Sequence, residues 1–308
     1  MVLILIICIL ILFLLAAGGY AYKIAFYSPR GKQPAPPPAL TESFAPYQQE
    51  ITRLYRQIRD RECEIVSILS HDGLELSGRY YHIADGAPLD IGFHGYRSSA
   101  FTDFAGGSEM SFDMGHNLLL VDQRSHGMSA GRTISFGIKE RLDVLSWTQY
   151  AVDRFGQDAV IYLYGVSMGA STVLMAADQE LPPQVKAIIA DCPFSFPLDV
   201  ILHVGKSNPL PQWLIRIAAI VGAAVYGGFD LLETDAARAV AGAGIPILIL
   251  HGEADTYVPC PMSEAAANAN PALVRRFTFP GAEHALSYLA DTPRYQKIVK
   301  DFLSSVNS

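Results

Sequence analysis

Charged residues are scarce in this sequence, and cysteine is scarcer still. Only 17% of the 308 residues are charged, the formal net charge is −7, and the four cysteines show no C-x-x-C spacing. This cysteine pattern does not indicate a disulfide framework or a zinc site. No basic cluster is interleaved with aromatic residues, so nucleic acid is not an expected partner. The sequence also lacks an H-E-x-x-H motif, and we expect no metal.

The longest uncharged stretch lies at the N-terminus. The first charged residue is Lys23, and residues 1–22 are long enough to cross ~30 Å of hydrocarbon as a helix. We predict a transmembrane signal-anchor over residues 1–22. The basic region that usually precedes the apolar run of a cleaved signal peptide is missing, which favours an anchor that stays attached.

The residues after this segment indicate its orientation. Lys23, Arg30 and Lys32 lie on its C-terminal side, and no basic residue lies before it. By the positive-inside rule we expect a single-pass protein whose main domain faces the cytoplasm. Residues 23–45 are rich in proline, which predicts an extended linker between the anchor and the domain at 46–308.

Short apolar runs alternate with helical patterns throughout that domain. The predicted strands are a hairpin, Glu64–Leu69 with Leu74–Ile83, and then runs near 89–93, 117–121, 159–164, 185–190, 245–250 and 274–279. Such alternation predicts an α/β fold with a doubly wound, mostly parallel eight-stranded sheet, which binds ligands at the carboxyl ends of its strands. Residues 193–244 are too many for a simple crossover and predict a small helical cap.

A G-x-S-x-G pentapeptide follows the run at 159–164. A nucleophilic serine on a strand-to-helix turn takes a positive φ, so the residues two before and two after it must be nearly free of side chains. Gly165 and Gly169 meet that need and make Ser167 a candidate nucleophile.

A hydroxyl nucleophile needs a base and an orienting acid, which follow it in the chain order Ser, Asp or Glu, His. Asp255 follows the strand at 245–250 and His284 follows the strand at 274–279. Glu253 is the alternative acid. These residues predict a Ser-His-Asp triad.

At these residues the sequence resembles the α/β-hydrolase superfamily, over nearly all of residues 65–305. The segment from His251 to Asp255 is similar to the family's acid loop, and Gly281-x-x-His284 is similar to its histidine loop. The spacing resembles the membrane-anchored serine hydrolase branch, described as abhydrolase-domain or serine aminopeptidase-like proteins. The resemblance implies that Ser167 is the nucleophile, Asp255 the orienting acid and His284 the general base, with no cofactor.

Two backbone amides are candidates for binding the oxyanion of an acyl-transfer reaction. The Met168 amide lies at the start of the helix after the nucleophile, where unpaired N–H groups favour negative charge. The Tyr96 amide belongs to His94-Gly95-Tyr96, which resembles the family's oxyanion loop. Asp122 and Arg124 are similar to a family stretch that organises loops, which implies a structural role for them. His126 in the same loop could face the substrate, but a loop histidine is more often solvated, and we expect a solvated side chain.

These expectations together describe a membrane-bound serine hydrolase that cleaves a carboxylic ester, thioester or amide through an acyl-enzyme. The expected substrates are small acyl or amphiphilic molecules or peptides. Esterase or lipase activity and aminopeptidase-like activity both stay open, because the shape of the cap decides specificity. A catalytically silent scaffold that binds a lipid or protein is the other alternative, and the sequence predicts no particular oligomeric state.

The apolar cap segment 213–229 also has two interpretations. One is a buried cap helix, and the other is a face that lines an acyl pocket or touches the bilayer.

Overall fold

An eight-stranded sheet forms the centre of the fold. The computed structural model describes residues 1–29 and 42–306. The strands are β1 (Glu64–Leu69), β2 (Glu75–Tyr81), β3 (Leu89–Phe93), β4 (Asn117–Val121), β5 (Ile161–Val166), β6 (Val185–Asp191), β7 (Ile247–Gly252) and β8 (Val274–Phe279). Their spatial order is β1-β2-β4-β3-β5-β6-β7-β8. β2 pairs antiparallel with β1 and β4, and all other neighbours are parallel. The predicted doubly wound, mostly parallel sheet is confirmed.

The central strands are apolar runs because both of their faces are covered. Every residue of β3 and β4 is buried, as expected for parallel strands between two layers of helices. β5 and β7 each begin two residues later than predicted. The apolar residues at 159–160 and 245–246 are partly buried just before the strands, where the Val160 and Pro246 carbonyls accept the Leu89 and Ile188 amides.

Helices cover both faces of the sheet. The α-helices of the described residues are α1 (Val2–Ala21), α2 (Gln48–Arg59), α3 (Ala100–Asp103), α4 (Ala105–Asp113), α5 (Glu140–Phe155), α6 (Met168–Met175), α7 (Pro197–Val204), α8 (Gln212–Val221), α9 (Ala236–Ala241), α10 (Glu264–Ala269), α11 (Ser287–Ala290) and α12 (Thr292–Val306). One apolar cluster contains Trp147 of α5 and Val173 of α6, and a second contains Leu54 of α2 and Phe302 of α12. The sheet lies between these two layers.

The N-terminal helix α1 continues through a π-helical turn, Tyr22–Phe26, into the domain. The combined segment Val2–Phe26 contains an 18-residue window with a mean hydropathy of 3.2 and is long and apolar enough to cross a membrane. Phe26 is fully buried in the core, and Tyr27 pairs with Thr133. The linker that we predicted to begin at residue 23 therefore begins later, because apolar residues up to Phe26 pack on the domain. Residues 30–41 of that linker lie outside the described residues.

The chain between β6 and β7 forms the cap, which contains α7, α8 and α9. The helix α8 packs against α1, yet Trp213 is 63% exposed and Ile217 is 37% exposed. Of the two interpretations of this segment, a buried cap helix is therefore wrong. Its apolar side chains face both α1 and the surroundings of the protein.

Candidate active site

Ser167 lies on the sharp turn that joins β5 to α6. Its φ is 55° and its ψ is −117°, a strained conformation for a residue with a side chain. A Cβ on Gly165 would overlap the carbonyl oxygen of Gly169, and a Cβ on Gly169 would overlap the carbonyl oxygen of Phe93. Both flanking positions therefore need glycine, and the turn presents the Ser167 hydroxyl at the carboxyl edge of the sheet.

His284 and Asp255 continue a chain of hydrogen bonds from Ser167. The Ser167 Oγ lies 3.0 Å from His284 Nε2, and His284 Nδ1 lies 2.7 Å from Asp255 Oδ2. His284 follows β8 and Asp255 follows β7, so the parallel strands bring both side chains to the edge where Ser167 lies. Glu253, the alternative acid, instead accepts a hydrogen bond from Thr278.

The Asp255 carboxylate is held in its ionised form. Burial alone would raise its pKa, but hydrogen bonds from His251, His284 and the Val258 amide outweigh that effect and lower the pKa to about 2. Its Oδ1 accepts both the Val258 amide at 2.8 Å and the Tyr257 amide at 2.9 Å, whereas His284 contacts Oδ2. An ionised acceptor requires His284 to carry its proton on Nδ1, which leaves Nε2 free to accept the Ser167 proton.

The two candidate oxyanion donors, Tyr96 and Met168, line the same cavity as Ser167. Met168 is the first residue of α6, where backbone amides lack partners within the helix. Within the part of the chain that the structure describes, neither amide donates a hydrogen bond to another protein group. Both therefore remain free to bind a negatively charged oxygen.

Two buried histidines hold the loop that carries Tyr96. His94 Nε2 accepts the Gln123 amide at 3.2 Å, and His126 Nε2 accepts the Arg97 amide at 3.0 Å. The expectation of a solvated His126 is wrong, because its side chain is buried and its Nδ1–H donates to the Arg124 carbonyl. Burial lowers the pKa of His126 to about 3, which keeps the ring neutral and able to accept.

Charged pairs fasten the neighbouring loop after β4. Arg124 forms ion pairs with Asp143 at 2.6 Å and Asp72 at 2.9 Å, and Asp122 pairs with Arg79 at 3.1 Å. These contacts lie away from the triad and give Asp122 and Arg124 structural roles. Ligand atoms of His71, Asp72 and Asp143 lie within 4.8 Å of one another, as in a possible cation site. Arg124 is bonded to both carboxylates, so its positive charge opposes a cation there.

Two residues near Ser167 were not singled out as site residues from the sequence. Asp103 accepts the Gly95 amide at 2.6 Å and the Ser98 hydroxyl at 2.5 Å, so it also holds the loop that carries Tyr96. Asp191 ends β6, and its carbonyl accepts the Ser167 amide at 2.8 Å. Only the position of Asp191 at a strand end could have suggested it.

Cys192 lies beside the triad but belongs to the packing. It is 1% exposed, and burial raises the pKa of its thiol well above the ordinary value. Its sulfur, an Asp255 oxygen and a His284 nitrogen lie within 4.8 Å of one another. The oxygen and nitrogen of this group are already used by the hydrogen bonds of the triad, and the sulfur is a protonated thiol.

Ser167 lies where two cavities meet. The smaller, about 270 Å³, extends towards α2, α4 and α11 and includes His284. The larger, about 820 Å³, is lined by α1, the cap helices α7 and α8, and the loop of Tyr96. Its volume is in the range of about 300–1,000 Å³ that is typical of small-molecule sites.

Comparison with known proteins supports the fold and its family. A family model for the alpha/beta hydrolase fold matches residues 106–225. The chain is 29% identical over 196 residues to the uncharacterized protein YqkD of Bacillus subtilis (strain 168), a match over 63% of this chain and 64% of that protein. It is 31% identical over 207 residues to Protein ABHD12B of Homo sapiens, covering 62% of this chain and 53% of that protein. The matches thus span less than two thirds of either relative.

A solved structure has the same architecture. The Pyrococcus furiosus esterase Pf2001 superposes with a TM-score of 0.66 at 21% identity, covering 89% of this chain and 99% of that chain. An identity this low shows the fold alone. The strand order and the family model together show the α/β-hydrolase fold.

Proposed function

We propose that the protein is a serine hydrolase that cleaves carboxylic esters through an acyl-enzyme. The observation that carries this proposal is the continuous hydrogen-bond chain from the Ser167 hydroxyl through His284 to Asp255, with the serine on a positive-φ turn. The same geometry is compatible with thioesters and amides, which share the acyl-transfer mechanism.

The reaction would proceed in two halves. Ser167 Oγ attacks the substrate carbonyl carbon while His284 Nε2 takes the hydroxyl proton, and the Tyr96 and Met168 amides bind the oxyanion. His284 returns the proton to the leaving oxygen as that bond breaks, which leaves the acyl group on Ser167. A water molecule then attacks the acyl carbonyl carbon and gives its proton to His284. The bond to Ser167 Oγ breaks as His284 returns that proton to the serine oxygen, and the acid product leaves.

An ester fits the site better than an aminoacyl amide. An aminopeptidase needs a free carboxylate to hold the substrate ammonium, and two carboxylates line the smaller cavity. The Asp103 carboxylate already accepts two hydrogen bonds, and Asp191 is only 5% exposed. Among the described residues, the larger cavity has no carboxylate in its lining. The solved neighbour Pf2001 is named an esterase, which also favours this reaction.

We also propose that α1 anchors the protein in a membrane, with the domain on the cytoplasmic side. The uncharged run up to Tyr22 and the exposure of residues 2–12 support the anchor. The three basic residues after that run, Lys23, Arg30 and Lys32, support the orientation.

Ester hydrolysis by matched serine variants tests this function. Ser167→Ala should lower kcat for a short p-nitrophenyl ester by at least ~10⁴-fold, because the nucleophile is lost. The control is Ser304→Ala on α12, whose hydroxyl only donates to the Lys300 carbonyl. Activity that survives in Ser167→Ala at the level of this control would reject the proposal in favour of a binding scaffold or another site.

A further inference from the structure

One face of α1 is a wall of the larger cavity. The cavity residues from this helix and the turn after it are Phe13, Ala16, Ala17, Tyr20, Ala21, Ile24 and Ala25. Their spacing of three and four residues places them along one stripe of a helix. Four of them are alanines, whose small side chains leave space between α1 and the cap. The segment predicted to be only a membrane anchor thus lines the same space as Ser167.

The opposite face of α1 is fastened to the cap. A Cβ on Gly18 would overlap Val221, and a Cβ on Gly222 would lie 2.7 Å from the Gly18 carbonyl oxygen. The Tyr226 hydroxyl donates to the Leu15 carbonyl at 3.0 Å. Close backbone contact of this kind holds the helix in one position. The wall is therefore a fixed part of the domain.

The length of α1 sets the level of the cavity relative to a bilayer. Residues 2–12 are the exposed part of α1 that precedes the cavity residues. This free segment is about 16 Å long at 1.5 Å per residue, roughly half of a hydrocarbon core of ~30 Å. A spanning helix must therefore include the stretch that lines the cavity. The exposed side chains of Trp213 and Ile217 on the adjoining helix α8 are apolar, as is expected of a surface at the same level.

We propose that α1 forms one side of an acyl-chain site, and that the substrate is a lipid ester whose long chain enters this cavity from the bilayer. The proposal rests on the proposed function, since it places the chain of the scissile ester next to Ser167. Three observations favour an acyl chain as the occupant. The cavity reaches Ser167, aliphatic and aromatic residues line most of it, and its α1 wall must lie within the hydrocarbon layer. An amphiphile can then reach Ser167 without its chain crossing water.

Filling the cavity from α1 tests this proposal. Ala17→Phe and Ala21→Phe each place a ring in the cavity, and Leu12→Phe is the matched control because Leu12 is 66% exposed on the free part of the helix. The full-length protein is placed in vesicles of ether-linked phosphatidylcholine, which contain no acyl ester. kcat/KM is measured for p-nitrophenyl palmitate and p-nitrophenyl acetate, and their ratio is the readout.

We expect at least one filled variant to lower the palmitate-to-acetate ratio tenfold or more, while Leu12→Phe changes it less than twofold. Misfolding lowers both rates together, so the ratio separates loss of folding from loss of the chain site. A ratio unchanged within twofold in both filled variants overturns the proposal.

A binding measurement separates this proposal from the proposed function. In a Ser167→Ala background, a fluorescent fatty acid should bind, and Ala17→Phe should weaken that binding at least tenfold. This result would hold even if the protein hydrolysed no ester. If no fatty acid bound and Ala17→Phe instead changed the oligomeric state, the larger cavity would be assigned to a second copy of this chain. That result would overturn the acyl-chain site.

Discussion

His284 Nδ1 lies 2.7 Å from Asp255 Oδ2, in a loop contact that joins the ends of β7 and β8. Because the low pKa of Asp255 keeps that carboxyl ionised, it accepts the Nδ1 proton and directs the lone pair of Nε2 at Ser167. In the proposed reaction, this contact gives the Ser167 hydroxyl a base in place.

Asp255→Asn should preserve the shape of the site but favour the wrong imidazole tautomer. We expect kcat to fall ~10³–10⁴-fold with a small change in KM, as in other triads that lose this carboxylate. Glu253→Gln is the control, and it should stay within twofold of wild type because Glu253 contacts Thr278 and not His284. Steady-state kinetics on a short ester give both values. A larger loss in Glu253→Gln would identify Glu253 as the acid.

Gly169→Ala should disrupt the turn of the nucleophile. The added methyl group would overlap the Phe93 and His94 carbonyls, which belong to β3 and the loop of Tyr96. We expect a loss of kcat/KM of ~10²-fold or more, since the oxyanion donors depend on this geometry. The comparison is Gly244→Ala, where a Cβ meets nothing within 4 Å. Equal activity of the two variants would contradict the close packing described here.

His126 should make the protein acid-sensitive. Its folded pKa, about 3, is below the value of ~6.5 in the unfolded chain, so the unfolded state binds the extra proton first. Stability is therefore lost as the pH falls from ~6.5 towards 3, by about 2 kcal/mol at pH 5. His126→Gln, which can still accept the Arg97 amide, should lack this part of the pH dependence. Denaturation of both proteins at pH 5 and pH 7 gives their free energies of unfolding. An equal change in this free energy between the two pH values for wild type and variant would refute the assignment.

Asp191 should give the stability of the protein a pH dependence of the opposite sign. Burial raises its folded pKa to about 6, above the unfolded value of ~3.9, and its Oδ1 has no hydrogen-bond partner among the described residues. The folded state thus holds a proton that the unfolded state loses, and stability falls as the pH rises from ~4 to 6. Asp191→Asn should raise the melting temperature by a few degrees at pH 8 and hardly at pH 4.5. If the melting temperatures of variant and wild type differed by the same amount at pH 4.5 and pH 8, this prediction would be wrong.

Much of the framework could be predicted from the sequence because its signals are local. Apolar runs marked the strands, and the glycines at 165 and 169 marked the turn around Ser167. The chain order of Asp255 and His284 then placed both residues at strand ends on one edge of the sheet. Their meeting with Ser167 follows from the parallel sheet, since each residue lies directly after a carboxyl end.

The parts that could not be predicted depend on contacts between distant segments. His126 follows β4 and packs against the loop after β3, where it accepts the Arg97 amide. Its burial depends on this contact between two loops that are distant in the sequence. The exposure of α8 and the cavity beneath it depend on where α1 packs, and nothing in the apolar sequence of α1 specifies a partner. The hydropathy of such a helix indicates a membrane span equally well whether or not it lines a site.

Covalent labelling tests the central claim most directly. The full-length protein is treated with a fluorophosphonate, which reacts with an activated serine and not with an ordinary hydroxyl, and the modified peptide is identified by mass spectrometry. Our account predicts a single adduct on Ser167, absent in Ser167→Ala and strongly slowed in Asp255→Asn. Labelling that persists in Ser167→Ala, or a wild-type protein that is not labelled at Ser167, would contradict it.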